Sequence, residues 1–360
     1  MRPLESWVSH IQQSGLSAIA ARYLWRGLAP SIRCSYDTPR LRFTVFCTLS
    51  NLHYLNCGFF PAQATWLIEW LCSLAENVKV KTMKLYLAGI KSYQLDLGID
   101  CSAFTDPQLE WTIQDIKRDY CKTDCRTRGP LTRPYHLQIL RCLTIPIYDN
   151  IVLQAAFTLA FAGFLRVGEF TYKEVDKELG PTFVPWFLTN SSIWITEAAT
   201  RMEVTLPSSK TDPFRKSIKL SIAASNDTGC QVEVMRRLLR VDTHRHPLTP
   251  LFCNGRHEQR AFTREYVVAK LHELARHARL GYGLWNSHSF RRGAATWAAE
   301  VGNSEAEIQT PGCWRSDAYK AYIEYSQKSK SPSPVASKLP RMCIPTQHRL
   351  PVLGDEMGAT

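Results

Sequence analysis

The sequence predicts a mainly α-helical chain with a small β-sheet or hairpin, arranged as a helical first domain and a mixed α+β second one. Three observations point there. Apolar residues recur at helical spacing through the first third of the chain. Short alternating segments crowd the stretch 191–222. Between these regions, CKTDCRTRGPLTRP carries Arg126, Arg128, Gly129, Pro130, Arg133 and Pro134 with no apolar period, the composition of a linker.

Taken in order, LSAIAARYLWRGLAP reads as a helix stopped at Pro30, and the stretch 41–55 as a second. PAQATWLIEWLCSLAE opens on Pro61, whose fixed φ suits a first helical turn. VKTMKLYLAGIKSYQLDLGI places Met83, Leu87, Ile90 and Leu97 on one side and Lys79, Lys81, Lys84 and Lys91 on the other. That basic side reads equally as a solvated face or as a contact for a DNA backbone. PQLEWTIQDIKRDY is the last helix before the linker. Beyond it, LQILRCLTIPI and IVLQAAFTLAFAGFL are helical, while SSIWIT, RMEVTLPS and KSIKLSI are strand-like, with SKTDPFRK at a turn. REYVVAKLHELARHARL and the run after His288 return to helix. The expected boundaries are a helical domain over 1–125, a linker over 126–134 and a second domain over 135–326. The Ser/Pro/Lys-rich tail 327–360 is expected to be poorly ordered.

A chain of 360 residues is long enough for two domains that each bury a core. Its 45% hydrophobic and 21% charged residues are the balance of a soluble globular protein. No apolar run is long enough to cross a bilayer, so no membrane partner is expected. MRPLESWVSHIQQSG lacks the charged-then-apolar layout of a secretory signal, which predicts an intracellular protein. Lys and Arg outnumber Asp and Glu by 44 to 32, and the net charge of +12 favours a polyanion, most simply nucleic acid. With no block of consecutive basic residues, any binding surface must be assembled by folding. The 12 cysteines are scattered, and Cys47, Cys72 and Cys142 sit in apolar stretches as small core residues. Cys121 and Cys125, with His136 downstream, lack the second close pair that a tetrahedral zinc site needs. No metal or other cofactor is expected.

Five places stand out chemically. In FAGFLRVGEF, Arg166 and Glu169 close a nearly all-apolar helix, which would hold the guanidinium at the edge of a core, an arrangement suited to phosphate. LPSSKTDPFRKS puts Lys210 at a strand end. HSFRRG sets His288 and Arg291 one helical turn apart, able to address one phosphate by proton transfer and by fixed charge. Arg292 points elsewhere, towards scaffold or a backbone contact, and Gly293, Ala294 and Ala295 allow close helix packing. PGCWRS carries Trp314. SDAYKAYIEYSQK, a helix capped by Ser316, carries Tyr319, Tyr322 and Tyr325. Pro311 is expected to end the helix that Ser304 and Glu307 open as a capping box.

In this order, FLRVGEF, LPSSKTDPFRK, HSFRRGAAT and WRSDAYKAYI resemble the tyrosine recombinase, or phage integrase-like, superfamily. They look closest to its eukaryotic branch in Crypton-type and DIRS-type mobile elements. The resemblance extends to about residue 326. It implies that the first domain is a SAM-like core-binding domain and the second a DNA breaking-rejoining catalytic domain. Arg166 and Arg291 match the catalytic arginines, Glu169 a residue that orients them, and Lys210 the general acid. His288 belongs to the His-x-x-Arg motif, Trp314 stands where relatives have His or Trp, and Tyr322 matches the nucleophile. Cys313 stands where that branch commonly has a basic residue.

The resemblance further implies double-stranded DNA as partner, clamped with the help of Lys79, Lys81, Lys84, Lys91, Arg126, Arg128, Arg133 and Arg292. A homo-tetramer on DNA and a nuclear location follow from the same branch. A type IB topoisomerase and a domesticated DNA-binding protein of the same fold are the competing readings.

Overall fold

The computed structural model describes residues 15–52, 58–120, 129–172, 187–207, 217–225, 229–242, 246–255, 260–281, 285–312, 314, 316–323 and 346–348. The chain forms two compact units, 1–125 and 126–360. No helix of the described residues is long and apolar enough to cross a membrane.

The first unit is helical. Helix α1 (Ala18–Arg26) starts at Ser17, whose hydroxyl accepts from the Ala20 amide at 3.2 Å. Helix α2 (Pro30–Leu49) departs from the sequence expectation, because Pro30 begins it rather than ending its predecessor. A proline lacks only an N–H that the first turn leaves unbonded anyway, so the same residue serves as starter or stop. Helices α3 (Ala64–Leu74), α4 (Val80–Asp96) and α5 (Pro107–Tyr120) follow.

Their apolar stripes meet in a core of Phe43, Leu67, Trp70, Leu71, Met83, Leu87, Ile90, Leu109 and Ile113. Pro39, inside α2, packs where α4 presents Gly89. A Cβ on Gly89 would lie 2.6 Å from the proline Cγ, so only glycine permits this approach. Cys47 is buried in this core, and desolvation pushes its thiol up to about 11, which keeps it inert. Cys72, by contrast, is exposed and not a core residue: on α3 it lies off the stripe of Leu67, Trp70 and Leu71.

The second unit wraps its layers around helix α7 (Tyr148–Ala162), in which every residue from 155 to 162 is buried. A helix that is apolar all round must be covered on all sides. Helix α6 (Arg133–Arg141), the one-turn helix α8 (Val167–Phe170), α9 (Gln231–Val241), α10 (Arg264–His277), α11 (Ser289–Glu300) and the short α12 (Glu305–Gln309) make up the other α-helices among the described residues of this unit.

Strands β1 (Ile193–Ile195), β2 (Arg201–Leu206) and β3 (Ile218–Ala223) form an antiparallel meander. Val204 lies opposite both Ile193 and Leu220, and Met202 opposite Ile222, so alternate residues face the core. Strands β4 (Cys253–Asn254) and β5 (Arg260–Ala261) make a separate pair. The predicted turn SKTDPFRK lies outside the described residues.

Two further departures concern the ends of this unit. The tail expected to be poorly ordered contributes β6 (Thr346–His348), which pairs antiparallel with the outer edge of β3. The end of the predicted linker is likewise structured. Leu131 is fully buried, its amide donates to the Ser289 carbonyl at 3.0 Å, and α6 already begins at Arg133. Gly293 of α11 rests on this segment, and a Cβ there would lie 1.8 Å from the Leu131 carbonyl oxygen.

Candidate active site

Helix α7 stops at Gly163, and Phe164 turns the chain through a left-handed φ of 53°. Arg166 therefore does not close the apolar helix, as the sequence suggested, but caps the next one. Its backbone amide donates to Glu169 Oε2 at 2.8 Å and its guanidinium to Glu169 Oε1 at 2.7 Å. Both side chains are largely buried, at 16% and 8% exposure. One carboxylate thus fixes the position and the direction of Arg166.

His288 is the N-cap of α11, and the turn before it is laced by its own side chains. The His288 amide donates to Asn286 Oδ1 at 2.9 Å, and the Asn286 amide to Ser289 Oγ at 2.9 Å. Ser289 Oγ in turn donates to the Gly129 carbonyl at 3.1 Å. The imidazole itself is exposed. One turn further along, Arg291 is only 1% exposed. Its Nη1 donates to the Phe164 carbonyl at 2.7 Å and its Nη2 to the Gly312 carbonyl.

The indole of Trp314 lies over this guanidinium, 4.2 Å from its carbon to the ring centre, close enough for a cation–π contact. Helix α12 delivers the tryptophan. The reciprocal Ser304–Glu307 capping box starts it, it ends at Gln309 ahead of Pro311, and the Trp314 amide donates to the Gln309 carbonyl at 3.1 Å. Gly312 lies directly beneath the indole, where a Cβ would come within 1.8 Å of the ring.

Tyr322 follows a short 3-10 turn, Asp317–Ala321, in place of the predicted longer helix; Ser316 caps it. Its ring lies 5.2 Å from Trp314, 6.5 Å from His288 and 5.8 Å from the Arg291 guanidinium. Its carbonyl accepts from Thr296 Oγ1 at 3.3 Å, which ties the segment to α11. Tyr319 is buried, and burial, then Glu305, raises its phenol pKa. Tyr322 is only half-buried.

The fold therefore brings His288, Arg291, Trp314 and Tyr322 into one cluster. The Arg166–Glu169 pair joins it through Phe164, two residues upstream. Lys210, Cys313, Tyr325, Arg126 and Arg128 lie outside the described residues. In the first unit, Lys79, Lys81 and Lys84 line an open groove with Lys117 and Arg118 of α5. Sequence reasoning missed the last two, although both sit in the last turn of a predicted helix, a usual place for cations. Lys84 is 3.4 Å from Glu110, while Lys91 is half-buried and does not line the groove. Arg133 turns inward, donating to the Gly229 carbonyl at 3.4 Å and lying 5.8 Å from the Phe161 ring centre. Arg292 is half-buried. His136 is fully buried with its ring stacked on Phe161, at 4.8 Å between centres. No group of three or more potential metal ligands occurs among the described residues.

This architecture is the fold of site-specific recombinases and integrases. The XerH recombinase bound to difH substrate in a pre-cleavage complex matches it with a TM-score of 0.54 at 14% identity, over 81% of this chain and 76% of that one. A lambda integrase dimer bound to a COC' core site matches with a TM-score of 0.54 at 14% identity, over 91% and 80% of the two chains. A lambda integrase tetramer bound to a Holliday junction gives 0.51 at 14% identity, over 92% and 81%. No protein-family model and no curated protein matches the chain by sequence.

Proposed function

We propose that the chain is a site-specific DNA recombinase or integrase that cuts and rejoins strands through a 3′-phosphotyrosine. The observation that carries this reading is the cluster of imidazole, guanidinium, indole and phenol, with Tyr322 between His288 and Trp314, on a fold shared with recombinases. The Tyr322 phenol oxygen attacks phosphorus, its proton leaving to a neighbouring base. The bond to the 5′ oxygen breaks, and Lys210 supplies the proton that the departing oxygen takes. Attack by a 5′ hydroxyl reverses the step, so the bond energy is conserved. Arg166 and Arg291 offset the charge that grows on the pentavalent phosphorus.

The partner in this reading is double-stranded DNA, held as a homo-tetramer and with no cofactor. The origin is a Crypton- or DIRS-type mobile element, and the location is the nucleus. The domains are a core-binding domain over 1–125, a linker over 126–134 whose end from Leu131 already packs into the second unit, and a catalytic domain over 135–326.

A second reading, a DNA-binding protein of the same fold that has lost turnover, is favoured by the 1% exposure of Arg291 and the two carbonyls that hold it. Incubation with a pool of nicked duplexes of randomised sequence separates the two. The recombinase forms a covalent protein–DNA adduct that maps to Tyr322, and Tyr322→Phe abolishes it while DNA binding persists. Binding with no adduct in the native chain selects the second reading. An adduct that survives Tyr322→Phe and vanishes in Tyr325→Phe moves the nucleophile. Relaxation of any supercoiled plasmid without a preferred site would instead mark a topoisomerase.

A further inference from the structure

We propose that Arg264 is a positioning residue of this site, holding the turn that carries His288. The catalytic consequence rests on the recombinase reading above; the structural one stands without it. Arg264 is the first residue of α10, and its Nη2 donates to Ser287 Oγ at 2.9 Å. Ser287 is 6% exposed and immediately precedes His288. Asn286 and Ser289 are tied within the turn and to Gly129, while α10 holds the turn at two points, Ser287 through Arg264 and the Trp285 carbonyl through His272 Nε2 at 2.7 Å.

The base of Arg264 is itself fixed. Thr263 caps α10 by accepting from the Tyr266 amide at 3.2 Å, and it is 4% exposed. It forms a parallel bridge with Tyr172, whose amide donates to the Phe262 carbonyl at 2.8 Å. Tyr172 lies three residues beyond Glu169. The strip 262–264 is thus hydrogen-bonded on one side to the segment that follows Arg166 and Glu169. On the other side it is hydrogen-bonded to the turn of His288. Two motifs far apart in sequence are linked through it. Arg264 itself is exposed, and ordering so long a side chain onto one buried serine costs rotamer freedom, which an isolated surface contact recovers poorly.

The full-length chain with Arg264→Ala, Arg264→Lys, Ser287→Ala and the double alanine variant provides the test, on the same pool of nicked duplexes. Arg264→Ala is expected to slow single-turnover adduct formation at saturating DNA by roughly ten- to a hundredfold, the scale of a small misplacement of a reacting group. The half-saturating DNA concentration should move much less. Ser287→Ala should reproduce the loss, the double variant should add nothing to it, and Arg264→Lys should recover part of the rate. Independently of activity, exchange of the His288 amide should quicken in Arg264→Ala while the melting temperature holds.

Unchanged amide exchange overturns the proposal. So does a change confined to half-saturation with Ser287→Ala silent, which would make Arg264 a plain DNA contact. If the native chain forms no adduct, the strand-transfer reading fails, and amide exchange still decides whether Arg264 holds the turn. Should Arg264→Ala not fold, Arg264→Lys and Ser287→Ala carry the same comparison.

Discussion

Glu169 illustrates how much one side chain can hold. Its two oxygens accept from the backbone and from the guanidinium of Arg166, in a place where both residues are largely out of water. Removing the carboxylate strands a charge whose desolvation is already committed. Glu169→Ala is therefore expected to lower unfolding free energy by about 3–5 kcal/mol, read by urea denaturation. Glu169→Gln, which keeps an acceptor, should lose less. At this scale the sequence was legible in identity and not in geometry. His288 and Arg291 could be picked out by residue type and spacing, whereas Trp314 and Tyr322 could be picked out only through the resemblance of their motifs to a known family. That Arg166 begins a helix could not, because the break depends on Phe164 adopting a left-handed φ that its residue type does not announce. Nor could the sealing of Arg291 under Trp314, which depends on Gly312 lying flat against the indole.

Among the elements, periodicity identified the helices well. Apolar repeats gave α3, α4, α5, α7 and α10 within a few residues, because each buries one stripe or is buried altogether. Proline was the ambiguous signal, since Pro30 suits a first turn as well as a stop. Strand β6 escaped notice because Thr-Gln-His carries no alternation of its own; the free edge of β3 selects it. The element with least tolerance is α11. Its Gly293 faces the Leu131 carbonyl, which is backbone and cannot swing aside as a side chain can. Gly293→Ala should destabilise the second unit by about 3 kcal/mol or more, at the upper end of overpacking costs. Calorimetry would register this as a lower melting temperature, whereas Ala299→Gly, at a half-buried position of the same helix, would lose only about 1 kcal/mol.

For the molecule as a whole, the net charge of +12 has a structural expression in the first unit. Lys79, Lys81 and Lys84 share a groove with Lys117 and Arg118, so α4 and α5 together offer cations that neither helix assembles alone. If this groove meets a DNA backbone, affinity must fall steeply with salt. Replacing Lys79, Lys81 and Lys84 by alanine should reduce the slope of log K against log salt by about 0.9 for each phosphate no longer neutralised, measured by fluorescence anisotropy at several ionic strengths. A slope equal to that of the native chain would remove these lysines from the DNA interface. At this same scale the short segment 129–131 has an importance that its length conceals. It is stitched to the first two turns of α11 by the Leu131 amide, the Ser289 hydroxyl and the close fit of Gly293. Any tension along the chain as it comes into the second unit is borne directly by the helix of His288 and Arg291. His288 and Arg291 are in mechanical series with this segment, so a small displacement of it passes straight to the helix that carries them.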